Sequence, residues 1–256
     1  PYPLQKITLQ EVIFCCNCVK LITMQSPSKK HVKEMFNRIA SRYDVANRVL
    51  SFGLDILWRR RMVELVLKDR PERVLDLAGG TGDVTLAFLR RSKLLNITLA
   101  DFSHGMLEVA RKKISGKFPE SQISFAQEDA QKMKFDSNSF DALTIAFGIR
   151  NIENLEKGLA EMYRVLRNGG GVYVLEFSIP TFFILRKSFV FYLRNIVPMV
   201  GNFLTNDHDA YAYLDKSIEA FPYGDEFCNM LRSAGFSQCE VRPLSFGIVT
   251  LYKAVK

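Results

Sequence analysis

Three carboxylates and one glycine-rich turn carry the clearest chemistry in this chain of 256 residues. The run Leu75-Asp76-Leu77-Ala78-Gly79-Gly80-Thr81-Gly82-Asp83 closes an apolar, strand-like segment and opens a helix-like one. Small residues in such a turn let backbone come close to a nucleotide-like ligand. A dinucleotide fingerprint wants a further glycine three places after Gly82, where Thr85 stands. Asp83 also puts a negative charge at the helix start, the place a pyrophosphate would take, and like charges repel there. A ligand without phosphates fits better. Asp101, 19 residues after Gly82 and ending a second strand, is placed to accept hydrogen bonds from both hydroxyls of a ribose. Asp129 and Ala130 follow a third strand, where an adenine amino group can be read, and Asp76 can attract an ammonium. S-adenosylmethionine, an adenosine with a sulfonium and an amino-acid tail, meets all of these groups. An Asp after a strand often only caps the next helix, but three at successive strand ends make coincidence a poor account.

The elements that must hold these residues show in the hydrophobic period. Met35, Phe36, Ile39 and Tyr43 recur at helical spacing, and a second helical pattern runs from Leu54 through Trp58, Val63 and Leu67. After Pro71, short apolar runs at 73–78, 97–102, 123–127, 140–147 and 171–177 alternate with helical segments. That alternation predicts an α/β fold, a parallel sheet with helices on both faces. The last two apolar runs, 239–244 and 248–254, are separated only by Ser245, Phe246 and Gly247. A gap so short permits a hairpin, so one antiparallel strand is expected to end the sheet. Asp141, at the start of the fourth strand and away from the ligand end, reads as structural.

Composition removes other classes. With 48% apolar and 24% charged residues, Gly 15 and Pro 9, the chain is neither disordered, collagen-like nor a disulfide scaffold. A net charge of +8 admits anionic partners. The basic residues are scattered, however, with no basic tail or aromatic-interleaved stripe, so no nucleic acid is expected. No metal-ligand cluster stands out. Cys15, Cys16 and Cys18 crowd at spacings that suit neither a zinc ribbon nor a disulfide framework, and Cys228 and Cys239 read as isolated, buried small hydrophobes in a reducing cytosol. Residues 1–30 read as an extension to a domain at 31–256, with Met24 the expected native start. The apolar run 12–19 is too short to span a bilayer and lacks a secretory cleavage pattern. A segment at about 180–215, apolar but broken by Arg186, Lys187 and Arg194, reads as a lid at the carboxyl edge of the sheet, or as a packing helix pair.

Several longer motifs accompany the glycine turn: FNRIASRYDVAN from Phe36 to Asn47, Ser51-Phe52-Gly53 with Trp58, Phe147-Gly148-Ile149-Arg150-Asn151, Met162 to Leu166, Val174 to Ser178, and Asn206-Asp207 followed by Tyr211, Tyr213, Leu214 and Ser217. From about Val32 onward the chain resembles the quinone-biosynthesis C-methyltransferases that act on demethylmenaquinol and on 2-methoxy-6-polyprenyl-1,4-benzoquinol. The resemblance implies a class I S-adenosylmethionine-dependent methyltransferase fold, a Rossmann-like, mostly parallel seven-stranded sheet with an antiparallel C-terminal strand. It implies cofactor contacts at Thr81, Asp101, Asp129 and Ala130, beside Asp76, Gly80 and Gly82 of the turn. Ala146 stands where the family often has serine, so only backbone can bind there. Asn168 replaces the usual proline before Gly169, Gly170 and Gly171, and that turn is still expected.

Methyl transfer to carbon is an in-line displacement that needs an aligned, electron-rich ring carbon. The reduced quinol, with a hydroxyl pKa of about 10 like that of tyrosine, is the expected substrate. Arg150 is the expected partner of a developing phenolate, because a guanidinium remains charged but is a poor base. Asn151, Tyr43 with Asp44, and Asp207 with Tyr211 are further candidates; His208 reads as an exposed loop residue. A polyprenyl tail requires an apolar channel, and the stretch from Phe182 to Phe203 with its basic residues suits contact with the inner face of the cytoplasmic membrane. Demethylmenaquinol is favoured for a bacterial chain. The benzoquinol, both rings, a non-catalytic cofactor-binding scaffold and a homo-oligomer all remain open, and a nicotinamide oxidoreductase is disfavoured by Asp83 and Thr85.

Overall fold

The computed structural model describes residues 29–205 and 207–256. The expectations for residues 1–23, for Met24 as a start and for the side chains of His208 and Tyr211 lie outside what is described. Three helices open the described chain: α1 (Lys29–Ile39), α2 (Tyr43–Leu50) and α3 (Leu54–Lys68). α1 buries Met35 and Ile39, and α3 buries Trp58, Met62, Val63 and Val66.

Seven strands follow: β1 (Arg73–Leu77), β2 (Asn96–Asp101), β3 (Ile123–Gln127), β4 (Phe140–Ala146), β5 (Leu166–Phe177), β6 (Ser237–Leu244) and β7 (Val249–Val255). They form one sheet in the order β3-β2-β1-β4-β5-β7-β6. Pairings among β1 to β5 are parallel, and β7 runs antiparallel to both neighbours. Successive residues of a strand point to opposite faces. Val74 accordingly joins the α3-side core with Ile97 and Leu99, whereas Leu75 and Leu77 join the opposite core with Leu143 and Ile145. Between the strands lie α4 (Asp83–Leu89), α5 (His104–Ile114) and α6 (Leu155–Val165).

The expectation that the antiparallel strand ends the sheet needs correction. β7 lies inside, between β5 and β6, and β6 forms the edge. Burial explains the choice: most of β7 is buried, whereas most of β6 is exposed, so the more apolar run takes the inner position. β5 also begins earlier than expected, with a register shift against β4 and Gly169 at φ +76°.

The segment after β5 is wholly helical: α7 (Phe183–Phe191), a π-helical turn at Tyr192–Ile196, α8 (Val197–Thr205) and then α9 (His208–Ala220). Phe189, Leu193, Val197, Ala210 and Ile218 pack on Met35, Ile39 and Ala46, so this insertion and the N-terminal helices share a third core. No helix among the described residues is long and apolar enough to cross a membrane. The last helix, α10 (Asp225–Ser233), carries Cys228. The reading of Cys228 and Cys239 as isolated thiols is overturned: they form a disulfide, with Cα atoms 5.8 Å apart. Packing of α10 against β6 brings together residues that are 11 apart in sequence.

Candidate active site

The strand order reverses at β1, which has β2 on one side and β4 on the other, and open α/β sheets bind ligands outside the strand ends at such a point. The glycine turn lies there. Ala78, Gly80 and Gly82 all have positive φ, a sharp local reversal. A Cβ on Gly79 would stand 2.9 Å from Leu99 Cγ and 3.1 Å from the Asp76 carbonyl oxygen, so the tightness of the turn requires glycine.

An open cleft of about 1070 Å³ is lined by Asp76, Gly80, Thr81, Asp101, Asp129, Ala130 and Ala146. Gly82, the remaining residue expected at the cofactor, is not part of that lining. A Cβ there would stand 2.8 Å from Ile114 Cδ1, so Gly82 serves the close packing of α4 against α5. Asp101 is held by backbone: Oδ2 accepts from Gly80 N at 2.9 Å and Oδ1 from Ser103 N at 2.8 Å. Burial pushes its carboxyl up despite these bonds. Asp76 is fully buried, accepting from Thr85 Oγ1 at 2.6 Å and Thr144 Oγ1 at 3.0 Å, and burial pushes its carboxyl up to about 6. Asp129 Oδ1 accepts from Gln131 N at 3.1 Å.

Asp76, Asp83, Asp101, Glu128, Asp129 and Glu153 face this cleft against only Lys33 and Arg59. An acidic lining in a chain of net charge +8 suits a cationic, hydroxyl-bearing ligand and not a pyrophosphate. Asp83 is less of a free charge than the sequence suggests. Lys113 Nζ pairs with it, Arg48 Nη2 lies at 3.3 Å and Arg59 Nη1 at 3.9 Å. Burial alone would raise its pKa, but these cations outweigh burial and hold it below the usual carboxylate range. Lys113 also reaches Asp44 Oδ2 at 2.6 Å, and Asp44 accepts from Thr81 Oγ1, so α2 is tied to the glycine turn.

A second, mostly apolar cavity of about 1410 Å³ adjoins the first. Phe36, Tyr43, Arg59 and Phe147 line both. Its walls include Trp58, Phe177, Phe189 and Leu193, from the sheet, the N-terminal helices and the insertion. Arg150 stands on its wall with its side chain only 5% exposed. Nη1 donates to Glu176 Oε1 at 2.7 Å and to Phe147 O at 2.6 Å, and Nε donates to Ser217 Oγ at 3.3 Å. Glu176 has no exposure; burial pushes its carboxyl up and Arg150 opposes that. Asn151 lines the acidic cleft, and its Oδ1 accepts from Tyr213 Oη at 3.0 Å, while Tyr213 lines the apolar cavity. Asp207 lines neither. It accepts from Arg38 Nε at 2.8 Å and from Ala210 N at 3.1 Å, capping α9. Asp141 accepts from the Glu72 and Arg73 amides at 2.7 and 2.8 Å, tying β4 to the start of β1.

Residues 24–256 match the model of the ubiE/COQ5 methyltransferase family. The chain belongs to this family. A Bacteroides fragilis protein named demethylmenaquinone methyltransferase is 40% identical over 238 residues, 93% of this chain and 97% of that one. A Zymomonas mobilis protein named ubiquinone/menaquinone biosynthesis C-methyltransferase is 41% identical over 233 residues, covering 90% and 95%. Among solved structures, a Thermotoga maritima S-adenosylmethionine-dependent methyltransferase aligns with TM-score 0.59 at 20% identity, covering 87% of this chain and 99% of its own, a likeness of fold.

Several residues that support the site in this ubiE/COQ5-family architecture are not among those its motifs point to. Glu176 carried a signal, a lone acid inside a buried apolar strand. Asp55 and Arg59 also carried one, being opposite charges at i,i+4 on α3. Lys113 carried none, since its partners lie at least 30 residues away in sequence.

Proposed function

We propose that this ubiE/COQ5-family methyltransferase uses S-adenosylmethionine to methylate a ring carbon of a polyprenyl quinol, with demethylmenaquinol as the substrate. The observation that carries the reading is the juxtaposition of an acidic cleft and a larger apolar cavity across a shared wall of Tyr43, Arg59 and Phe147. The names of the two relatives supply the ring: one names menaquinone chemistry and the other both quinones. The benzoquinol is therefore the second substrate to test.

Asp101 would accept from the ribose hydroxyls, and the strand end at Asp129 and Ala130, which lines the same cleft, would hold the adenine. When bound, the cofactor supplies an electrophilic methyl group. The chain does the rest. Phe147, Trp58 and Phe177 pack ring on ring at 4.8 to 6.3 Å beside the second cavity, which excludes water from the ring carbon. Arg150, fixed by Glu176 and Ser217, places a guanidinium on the wall of that cavity, where it would stabilise negative charge that builds up on a quinol oxygen as the ring carbon takes the methyl.

The tail reading rests on the cavity's mouth. Phe52 lines the cavity yet is 80% exposed, and Phe182, Phe183 and Phe191 are exposed near Arg186 and Lys187. Such a face suits contact with an anionic membrane surface. The deciding experiment is methyl transfer from labelled S-adenosylmethionine to demethylmenaquinol and to the methoxy-benzoquinol, side by side in detergent with reductant. Product from demethylmenaquinol is expected; product from neither ring, with cofactor bound, refutes the reading.

A further inference from the structure

Arg59 is the cation on the wall that separates the two cavities, and neither the ring chemistry nor the ribose and adenine contacts use it. It projects from α3 and is 9% exposed. Nη1 donates to Asp55 Oδ2 and lies 3.9 Å from Asp83 Oδ2. The guanidinium carbon stands 5.3 Å from the centre of the Phe147 ring. Neither Nε nor Nη2 has a hydrogen-bond acceptor among the described residues, and neither is a sealed, partnerless donor. That edge of the guanidinium is therefore accessible, on a side chain that lines both cavities, and a planar edge of N–H groups is the geometry that grips a carboxylate with two bonds.

The cleft's charges leave little choice of partner for such a carboxylate. An S-adenosylmethionine tail carries an ammonium and a carboxylate on one carbon. The ammonium belongs at the glycine turn, where Asp76 and Asp83 lie; the carboxylate needs a cation, and the lining holds two. Lys33 Nζ sits 4.7 Å from the centre of the ring of Phe102, the residue that follows Asp101 in sequence, at the end of the cleft assigned to the ribose. Arg59 sits beside Asp83, at the tail end.

We propose that Arg59 binds the amino-acid carboxylate of the cofactor through its Nε–Nη2 edge, and so makes the site select nucleosides that carry that tail. The proposal rests on S-adenosylmethionine being the cofactor. Asp55 permits a clean test, because Arg48 Nη1 at 3.1 Å and Ser51 Oγ at 2.9 Å hold it without Arg59.

The experiment is calorimetric titration of the full chain with two ligands, S-adenosylhomocysteine and 5′-methylthioadenosine, which shares the adenosine and thioether but has no tail. R59M is expected to weaken S-adenosylhomocysteine about 10- to 100-fold, the worth of a charged hydrogen-bonded contact. Its affinity for 5′-methylthioadenosine is expected to stay within about threefold. R59K, which keeps the charge but not the planar edge, is expected to fall between on the first ligand and to be unchanged on the second, and it carries the test if R59M does not fold. Equal losses for both ligands, no loss for either, or a selective loss in K33M instead of R59M would each overturn the assignment. A wild-type chain that binds neither ligand would remove the cofactor reading itself, and the role of Arg59 with it.

Discussion

Replacing Asp76 with asparagine should make the protein more stable and worse at holding its cofactor. The carboxyl is fully buried, with Thr85 and Thr144 as its side-chain donors, and burial takes it from an ordinary 3.8 to about 6. Between those values the folded state binds more protons than the unfolded one, so stability falls as pH rises through that window and stays lower above it. At 1.36 kcal/mol for each pH unit, the ionised carboxylate costs the empty fold about 3 kcal/mol at pH 8 and about half that at pH 5. Asparagine keeps the shape and one acceptor and carries no charge to desolvate. Some of the gain is lost in turning a threonine hydroxyl to meet its NH2, so the net gain at pH 8 is about 2 kcal/mol, or about 4–8 °C in Tm. Urea melts of both proteins at pH 8 and pH 5 measure it, and the gain should shrink at the lower pH. The companion titration should show S-adenosylhomocysteine binding at least about tenfold weaker in D76N, through loss of the charge that faces the ammonium. A variant that is less stable at pH 8, or equally stabilised at both pH values, refutes the argument from burial; unchanged binding refutes the role at the tail.

Three further outcomes are expected. Arg150→Ala should retain affinity for the cofactor and lose at least about 100-fold in turnover, read by titration and by single-turnover methyl transfer; unchanged turnover removes it from the chemistry. Glu176→Ala leaves a buried guanidinium without its carboxylate and should cost about 3–5 kcal/mol in denaturant melts, with Glu176→Gln milder. The double change Phe52→Ser and Phe183→Ser should reduce binding to anionic vesicles and slow methylation of long-tailed quinols, while a quinol without a tail reacts at the original rate; equal slowing of both would place these residues elsewhere in the mechanism.

What the sequence made legible is what repeats locally. Strand and helix alternate with their own periods, so β3 was located to the residue and most other strands to within a residue or two. Acids at strand ends gather at one edge in any parallel sheet, which is why Asp76, Asp101 and Asp129 line the same cleft. Features that depend on distant pairing stayed hidden. Asp83 reads from the sequence as a bare charge because Arg48 and Lys113, which neutralise it, come from other helices. Asp207 reads as a candidate at the site because its motif has no local sign of Arg38, 169 residues earlier. Cys228 and Cys239 read as separate for the same reason, and the walls of the apolar cavity, drawn from α1, α2, α3, β5 and the helices of the insertion, are brought together only by the fold.

The interior place of β7 bears on how the chain is made. The strand that follows all others in sequence carries the hydrogen bonds of both β5 and β6, so the sheet cannot close until residues 249–255 have been synthesised. Until then Leu175 and Tyr173, buried once β7 is in place, border an unpaired edge, the kind of surface on which nascent chains associate wrongly. Deleting β7 should therefore cost the whole domain, and the nascent sheet is most open to wrong association just before β7 emerges.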